Sequence, residues 1–395
     1  MTHQESQGSI SQATTGPVPV RLEGLDSLRA YAASAIIVFH MVHAANAELP
    51  PALEFIRNYF GFGVPLFFVV SAFSLTFGYI QRFGTPGDIG AFYIRRLARI
   101  APLFYCMLVF QLLHIFLTSG IRKDMSEVVA SLTFTFNFIP RYVDGIVPAS
   151  WSIGVEMVFY LIFPVTLVFA RHAIGSICVV VLSLFVASQS YLDFTAAKEL
   201  NANFIYHGFL TSVPFFAFGI LFYHCFTFLS GAAVARTPRT RLLWACALLV
   251  TGAGLVLVLI LYVPLYLYFW QLGLRVLWDS LWSIPFGLVC VGLALRPVGF
   301  LSNPVTRYLG KISFSLYLTH PTIVHYFGKW GVYTAIYGTI ASSKLAAFLI
   351  SFAVTMLVVA AVSSLTYRWI EAPGMQLGKR LLKRRRPTAL RVSTW

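Results

Sequence analysis

Arg29 and His40 stand eleven positions apart in an almost wholly apolar stretch. At about 100° per residue, eleven steps close roughly three turns with ~20° of offset. On a helix the two side chains therefore share a face, about 16 Å apart along the axis. A fixed cation at one mouth and an imidazole deep along the same wall suit a tunnel. Imidazole is the side chain best matched to taking a proton from a hydroxyl near neutral pH. An interfacial histidine bonded to a carbonyl fits the same spacing.

Glu156 lies in Trp151-Ser152-Ile153-Gly154-Val155-Glu156. Trp151 suits a membrane interface, which puts the carboxylate about 7–8 Å deep. That depth is close to the depth of His40. A buried acid needs a partner, so an imidazole–carboxylate pair is expected, one that holds the His40 tautomer and stabilises its charged form. A packing bond to Ser, Trp or backbone is the plainer alternative. Arg96 and Arg99, three apart, share a helix face and suit phosphate oxygens, although charge that sets membrane orientation explains them too. His320 precedes Pro321, which frees helical carbonyls and suits either a pocket wall or a packing role. Asp279 is a weaker candidate for an acceptor site. No GxSxG, P-loop, GxGxxG or HExxH sequence occurs, and no cluster has metal-ligand spacing, so no metal is expected.

These residues must be positioned by helices in lipid. The chain has 395 residues, 58% hydrophobic and only 11% charged. Soluble domains carry about 25% charged residues, so soluble enzyme, disulfide scaffold and disordered chain are excluded. The net charge of +15 is interspersed between apolar runs and gathered after them. It reads as orientation charge facing anionic lipid rather than as a nucleic-acid footprint. The five cysteines sit in apolar runs without a CxxC pair and are expected to be buried small hydrophobes.

Apolar runs long enough to span a bilayer fall at about 25–45, 59–81, 101–119, 151–170, 174–191, 205–229, 242–263, 275–295, 312–332 and 345–369. The expected fold is all-α, a polytopic transmembrane helical bundle of about ten spans. The short run 128–140 is expected to be re-entrant or interfacial. Treating it as non-spanning puts the Arg95–Arg99, Arg236–Arg241 and Arg296–Lys311 groups on the inner side, with both termini cytoplasmic. Residues 1–20 read as a disordered polar tail rather than a cleavable signal, residues 21–375 as one membrane domain, and residues 376–395 as a basic cytoplasmic tail. The aromatic segment Tyr262–Trp270 suits sugar stacking or an interfacial belt.

Gly24-Leu25-Asp26-Ser27-Leu28-Arg29 followed by His40 resembles the Arg-x10-His signature of the acyltransferase-3 family of integral membrane acyltransferases. Arg96-Leu97-Ala98-Arg99 is similar to its Arg-x-x-Arg motif, and Trp151-Ser152 to Glu156 to its Trp-Ser-x-x-x-Glu motif. Phe67-Phe68-Val69-Val70-Ser71-Ala72-Phe73 resembles its Phe-Phe-x-x-Ser-Gly-Phe stretch, with Ala72 where glycine is usual. Ile312 to Pro321 and Glu371-Ala372-Pro373 complete the order, over about residues 21–375.

The resemblance implies an enzyme that moves an acyl group, acetyl in many members, from cytoplasmic acyl-CoA to a hydroxyl of a carbohydrate or glycolipid. It implies that His40 is catalytic and that Arg29, Arg96 and Arg99 serve the donor. Glu156 is expected to assist His40, which acts as a base or as a transient acyl carrier. Asp26, Ser71, Trp151, Ser152 and His320 are expected around the pocket. Acyl-CoA enters as substrate, no permanently bound cofactor is expected, and the partners are donor, acceptor and lipid bilayer, without nucleic acid. The expected location is the inner (cytoplasmic) membrane. Some members carry a C-terminal esterase-like domain; none is read here, so onward transfer is expected in the membrane domain or on a separate partner. A macrolide-type small-molecule acceptor, and a proton-coupled secondary transporter using His40 and Glu156, are the alternatives.

Overall fold

A computed structural model describes residues 22–44, 47–84, 86–197, 201–232, 237–340 and 342–385. The expected polar tail and the end of the basic tail lie outside the described residues, as do Arg236 and Lys198. Among the described residues the secondary structure is helical, without strands.

Ten helices carry the architecture: α1 (Glu23–Ala44), α2 (Gly63–Tyr79), α3 (Pro86–Ser119), α4 (Trp151–Phe169), α5 (Ala173–Ala196), α6 (Phe209–Gly231), α7 (Pro238–Leu261), α8 (Ser283–Leu295), α9 (Ser313–Lys329) and α10 (Lys344–Thr366). Nine described helical stretches are long and apolar enough to cross a bilayer, so the chain is a polytopic helical bundle. The expected span at 312–332 is α9, with only 17 residues. Serine, threonine and histidine lower its apolarity. Large apolar side chains such as Val181, Leu182 and Phe185 on α5, and Leu243 and Val250 on α7, are exposed, as lipid-facing surfaces require.

Two helices run further than the apolar runs predict. The segment carrying Arg96 and Arg99 is continuous with the span that follows it: α3 is a single 34-residue helix through Pro102. The last helix passes from α10 through a π-helical turn, Tyr367–Glu371, into Ala372–Arg385, so the first part of the expected basic tail is helix. That extension packs on α3 where Gly374 meets Pro102; a Cβ there would lie 2.5 Å from the proline ring. The run 128–140 forms a short helix, Met125–Leu132, and 3-10 turns, and does not span.

The core is aromatic. Phe68 of α2 stacks on Phe216 of α6 at 4.5 Å, and Phe216 stacks on Phe159 of α4 at 4.1 Å. Those contacts fix α2 against α4 at the level of Ser71 and Glu156. Ala72, at the position where the resembled motif carries glycine, is fully buried, and the close approach is kept by α6: a Cβ on Gly219 would meet the Ala72 methyl at 2.8 Å. The cysteine expectation needs correction. Cys290 is buried, but Cys106, Cys178 and Cys246 are exposed and Cys225 is half-buried, all as free thiols. In lipid an outward-facing thiol meets hydrocarbon, so apolar surroundings do not require protein burial.

Candidate active site

A cavity of about 640 Å³ opens between α1, α2, α3, α4 and α9, with Glu371 and Tyr367 closing one side. Its wall includes Asp26, Arg29, Ser71, Arg96, Arg99, Ser152 and Glu156, residues drawn from four separate sequence motifs.

Arg29 is already engaged. It donates to Asp26 Oδ1 at 3.1 Å and to Ser74 Oγ at 2.7 Å. Arg96 and Arg99 differ: among the described residues neither guanidinium makes a hydrogen bond or an ion pair. Arg96 lies over the Tyr160 ring, 5.8 Å from its centroid, and its Nε is buried without a partner. Glu371, Glu156 and Asp26 act on Arg99 only through their field. A cavity wall bearing two guanidiniums that make no direct bond to a carboxylate is suited to an anionic ligand.

Glu156 does not reach His40. Its Oε1 accepts from Ser71 Oγ at 2.7 Å and from the hydroxyl of Tyr160. The aromatic stack that joins α2 to α4 sets this arrangement, and it ties the acid to the cavity wall. His40 instead meets His320. The rings are 4.9 Å apart, with His320 Nε2 at 3.3 Å from His40 Nδ1.

The backbone fixes both tautomers. His320 Nδ1 lies 3.2 Å from the Leu316 carbonyl and His40 Nδ1 lies 3.0 Å from the Ile36 carbonyl. A carbonyl only accepts, so each Nδ1 carries the hydrogen. His320 Nε2 is then a lone pair that accepts a second branch of the His40 Nδ1–H bond. His40 Nε2 is left as a bare lone pair, the form a base requires. His320 is fully buried and His40 half-buried.

Tyr317 stands between cavity and histidines. It lines the cavity, and its ring centroid is 5.6 Å from that of His320. Its hydroxyl donates to the Ala149 carbonyl at 2.8 Å and accepts from Ser152 Oγ at 2.7 Å. Ala149 adopts a left-handed conformation, φ 63°, which a non-glycine residue holds at a cost of about 1–3 kcal/mol when its surroundings enforce it. Neither His40 nor His320 lines the cavity itself.

Trp151 is off the cavity. It stacks on His207 at 4.2 Å, and His207 Nδ1 donates to Asp144 Oδ1 at 2.7 Å. That hydrogen bond holds the Asp144 carboxyl below the usual carboxylate range. Asp279 pairs with Arg275, its Oδ2 lying 3.6 Å from the arginine Nε. Sequence reasoning missed Tyr160 and Ser74 on the cavity wall, read Lys311 only as inner-side charge, and quoted Tyr317 only within a motif. It likewise quoted Glu371 only as part of a motif, although an acid two residues past the last apolar run was a usable signal.

A family model described as an acyltransferase domain matches residues 22–365. O-acetyltransferase OatA of Staphylococcus aureus is 24% identical over 380 residues, covering 90% of this chain and 57% of the relative. The chain thus spans little more than half the length of that protein. Acyltransferase MdmB of Streptomyces mycarofaciens is 27% identical over 410 residues, covering 94% of this chain and 95% of the relative. No solved structure matches significantly.

Proposed function

We propose, from the premise that the chain belongs to the acyltransferase-3 family, that it is an integral membrane O-acyltransferase using acyl-CoA as donor. The observation that carries the reading is the pair of unpaired guanidiniums, Arg96 and Arg99, on a cavity that ends one aromatic ring short of the His320–His40 pair. The donor phosphates bind Arg96 and Arg99, and the thioester points toward Tyr317. The acceptor reaches His40 from its half-exposed side. His40 Nε2 takes the hydroxyl proton as that oxygen attacks the thioester carbonyl. The tetrahedral intermediate expels the thiolate, the imidazolium returns the proton to it, and ester and free CoA thiol result.

The printed name O-acetyltransferase of the OatA relative supports an acetyl group and a hydroxyl acceptor. A carbohydrate or glycolipid in a cytoplasmic membrane, with the donor and both termini on the inner side, is the narrower form of the reading. The test uses purified protein in liposomes, supplied with labelled acetyl-CoA and a glycolipid. Label in an ester of the glycolipid, with one free thiol per ester, supports the reading. Thiol release without ester, or no reaction with any hydroxyl acceptor, rejects it.

A further inference from the structure

Three acids line the cavity. Asp26 is tied to Arg29, and Glu156 to Ser71 and Tyr160. Glu371 is only half satisfied. Its Oε2 accepts from Ser315 Oγ at 2.9 Å, whereas Oε1 has no hydrogen-bond partner although the residue is 1% exposed. The residue closes the π-helical turn Tyr367–Glu371, a local widening that recurs at functional sites. A buried carboxylate oxygen without a donor is costly, and a cavity-lining one can be satisfied by a ligand.

The chemistry of that ligand group follows from charge and position. A carboxylate repels phosphate, and Arg99, the cation whose field reaches Glu371, makes no hydrogen bond to it, so what Oε1 takes from the ligand is an uncharged hydrogen-bond donor. Ser315, which holds the other oxygen, lies five residues before His320, about 7.5 Å along the helix. In the donor proposed above, the two amide N–H groups of the pantetheine arm trail the thioester over a comparable distance. We infer that Glu371 Oε1 is the subsite for an amide N–H of the donor's arm. The inference rests on the acyl-CoA reading and deepens it: Arg96 and Arg99 recognise charge, while Glu371 recognises the neutral linker.

Two donors separate this role from a structural one. Acetyl-CoA carries both amides; its analogue with each amide replaced by an ester keeps the nucleotide phosphates and carries no amide N–H. Glu371→Ala and Glu371→Gln are each measured with both donors, in intact protein whose thermal unfolding is followed in parallel. A lost charge-assisted hydrogen bond predicts KM for acetyl-CoA raised about tenfold or more, with kcat/KM for the amide-free thioester within about twofold of wild type. The glutamine variant carries the test if the alanine variant does not fold. Equal losses with both donors, or no loss with either, overturn the inference. A wild-type protein that turns over neither donor rejects the acyl-CoA reading, and the inference with it.

Discussion

His320 Nε2 lies 3.3 Å from His40 Nδ1, across 280 residues of chain. A neutral imidazole thus occupies the place where the sequence suggested a carboxylate. It orients the His40 ring without supplying a counter-charge. Among the described residues no acid pairs with His40, so the imidazolium formed as the acceptor loses its proton has no paired anion there, which favours rapid return of that proton to the leaving thiolate. Pro321, lacking an N–H, leaves the Tyr317 carbonyl without a helical partner beside the His320 ring.

Replacing His320 tests the orienting role. His320→Ala lowers kcat about tenfold to a hundredfold with little change in KM for acyl-CoA, because the donor-binding wall is untouched. His320→Gln, which keeps an acceptor for His40 Nδ1–H, recovers part of the loss. A purely structural role would give the same loss in both variants.

Arg96 and Arg99 govern donor affinity rather than chemistry. Arg96→Ala or Arg99→Ala raises KM for acetyl-CoA about tenfold or more, as expected for one charge-assisted contact of about 1.5–3 kcal/mol. The effect shrinks for S-acetylpantetheine, which lacks the nucleotide phosphates. Steady-state kinetics with the two donors reads this directly.

Glu156 acts through the cavity wall. Glu156→Gln loosens Tyr160, over which Arg96 lies, and so raises KM for the donor several-fold while leaving the pH profile of kcat in place. A shifted pH profile would show instead that the acid couples to the His40 proton.

Asp144 gives a pH-dependent stability. Its carboxyl titrates lower in the folded protein than in the unfolded chain because of the His207 hydrogen bond. The stabilisation is therefore present above the ordinary carboxylate pKa, about 4, and is lost as pH falls through the lowered folded value. Asp144→Asn lowers Tm by a few degrees at pH 7, and the gap from wild type narrows toward pH 3.

Much of the helix pattern was legible because lipid demands long apolar runs, and Arg29, Arg96, Arg99 and Glu156 do share one cavity. The pairing of His40 was not legible. Periodicity places a residue on a face of its own helix, but the rotation of α1 against α9 is set by packing between distant segments. Depth matched Glu156 to His40 in one dimension only, and Phe68, Phe216 and Phe159 turn that acid toward Ser71. Tyr160 carried no local signal, being one of 19 tyrosines in an aromatic-rich chain, and Tyr317 stood in the Ile312–Pro321 motif with nothing to set it apart from its neighbours. The length of α3 was hidden because its polar start, Pro86 to Arg99, does not register as apolar.

The most direct measurement compares donor binding with single-turnover acyl transfer in wild-type protein and His40→Ala. The account predicts unchanged acetyl-CoA affinity and ester formation slowed at least about a hundredfold, the range a positioned base contributes. Wild-type ester formation in the folded variant would contradict it.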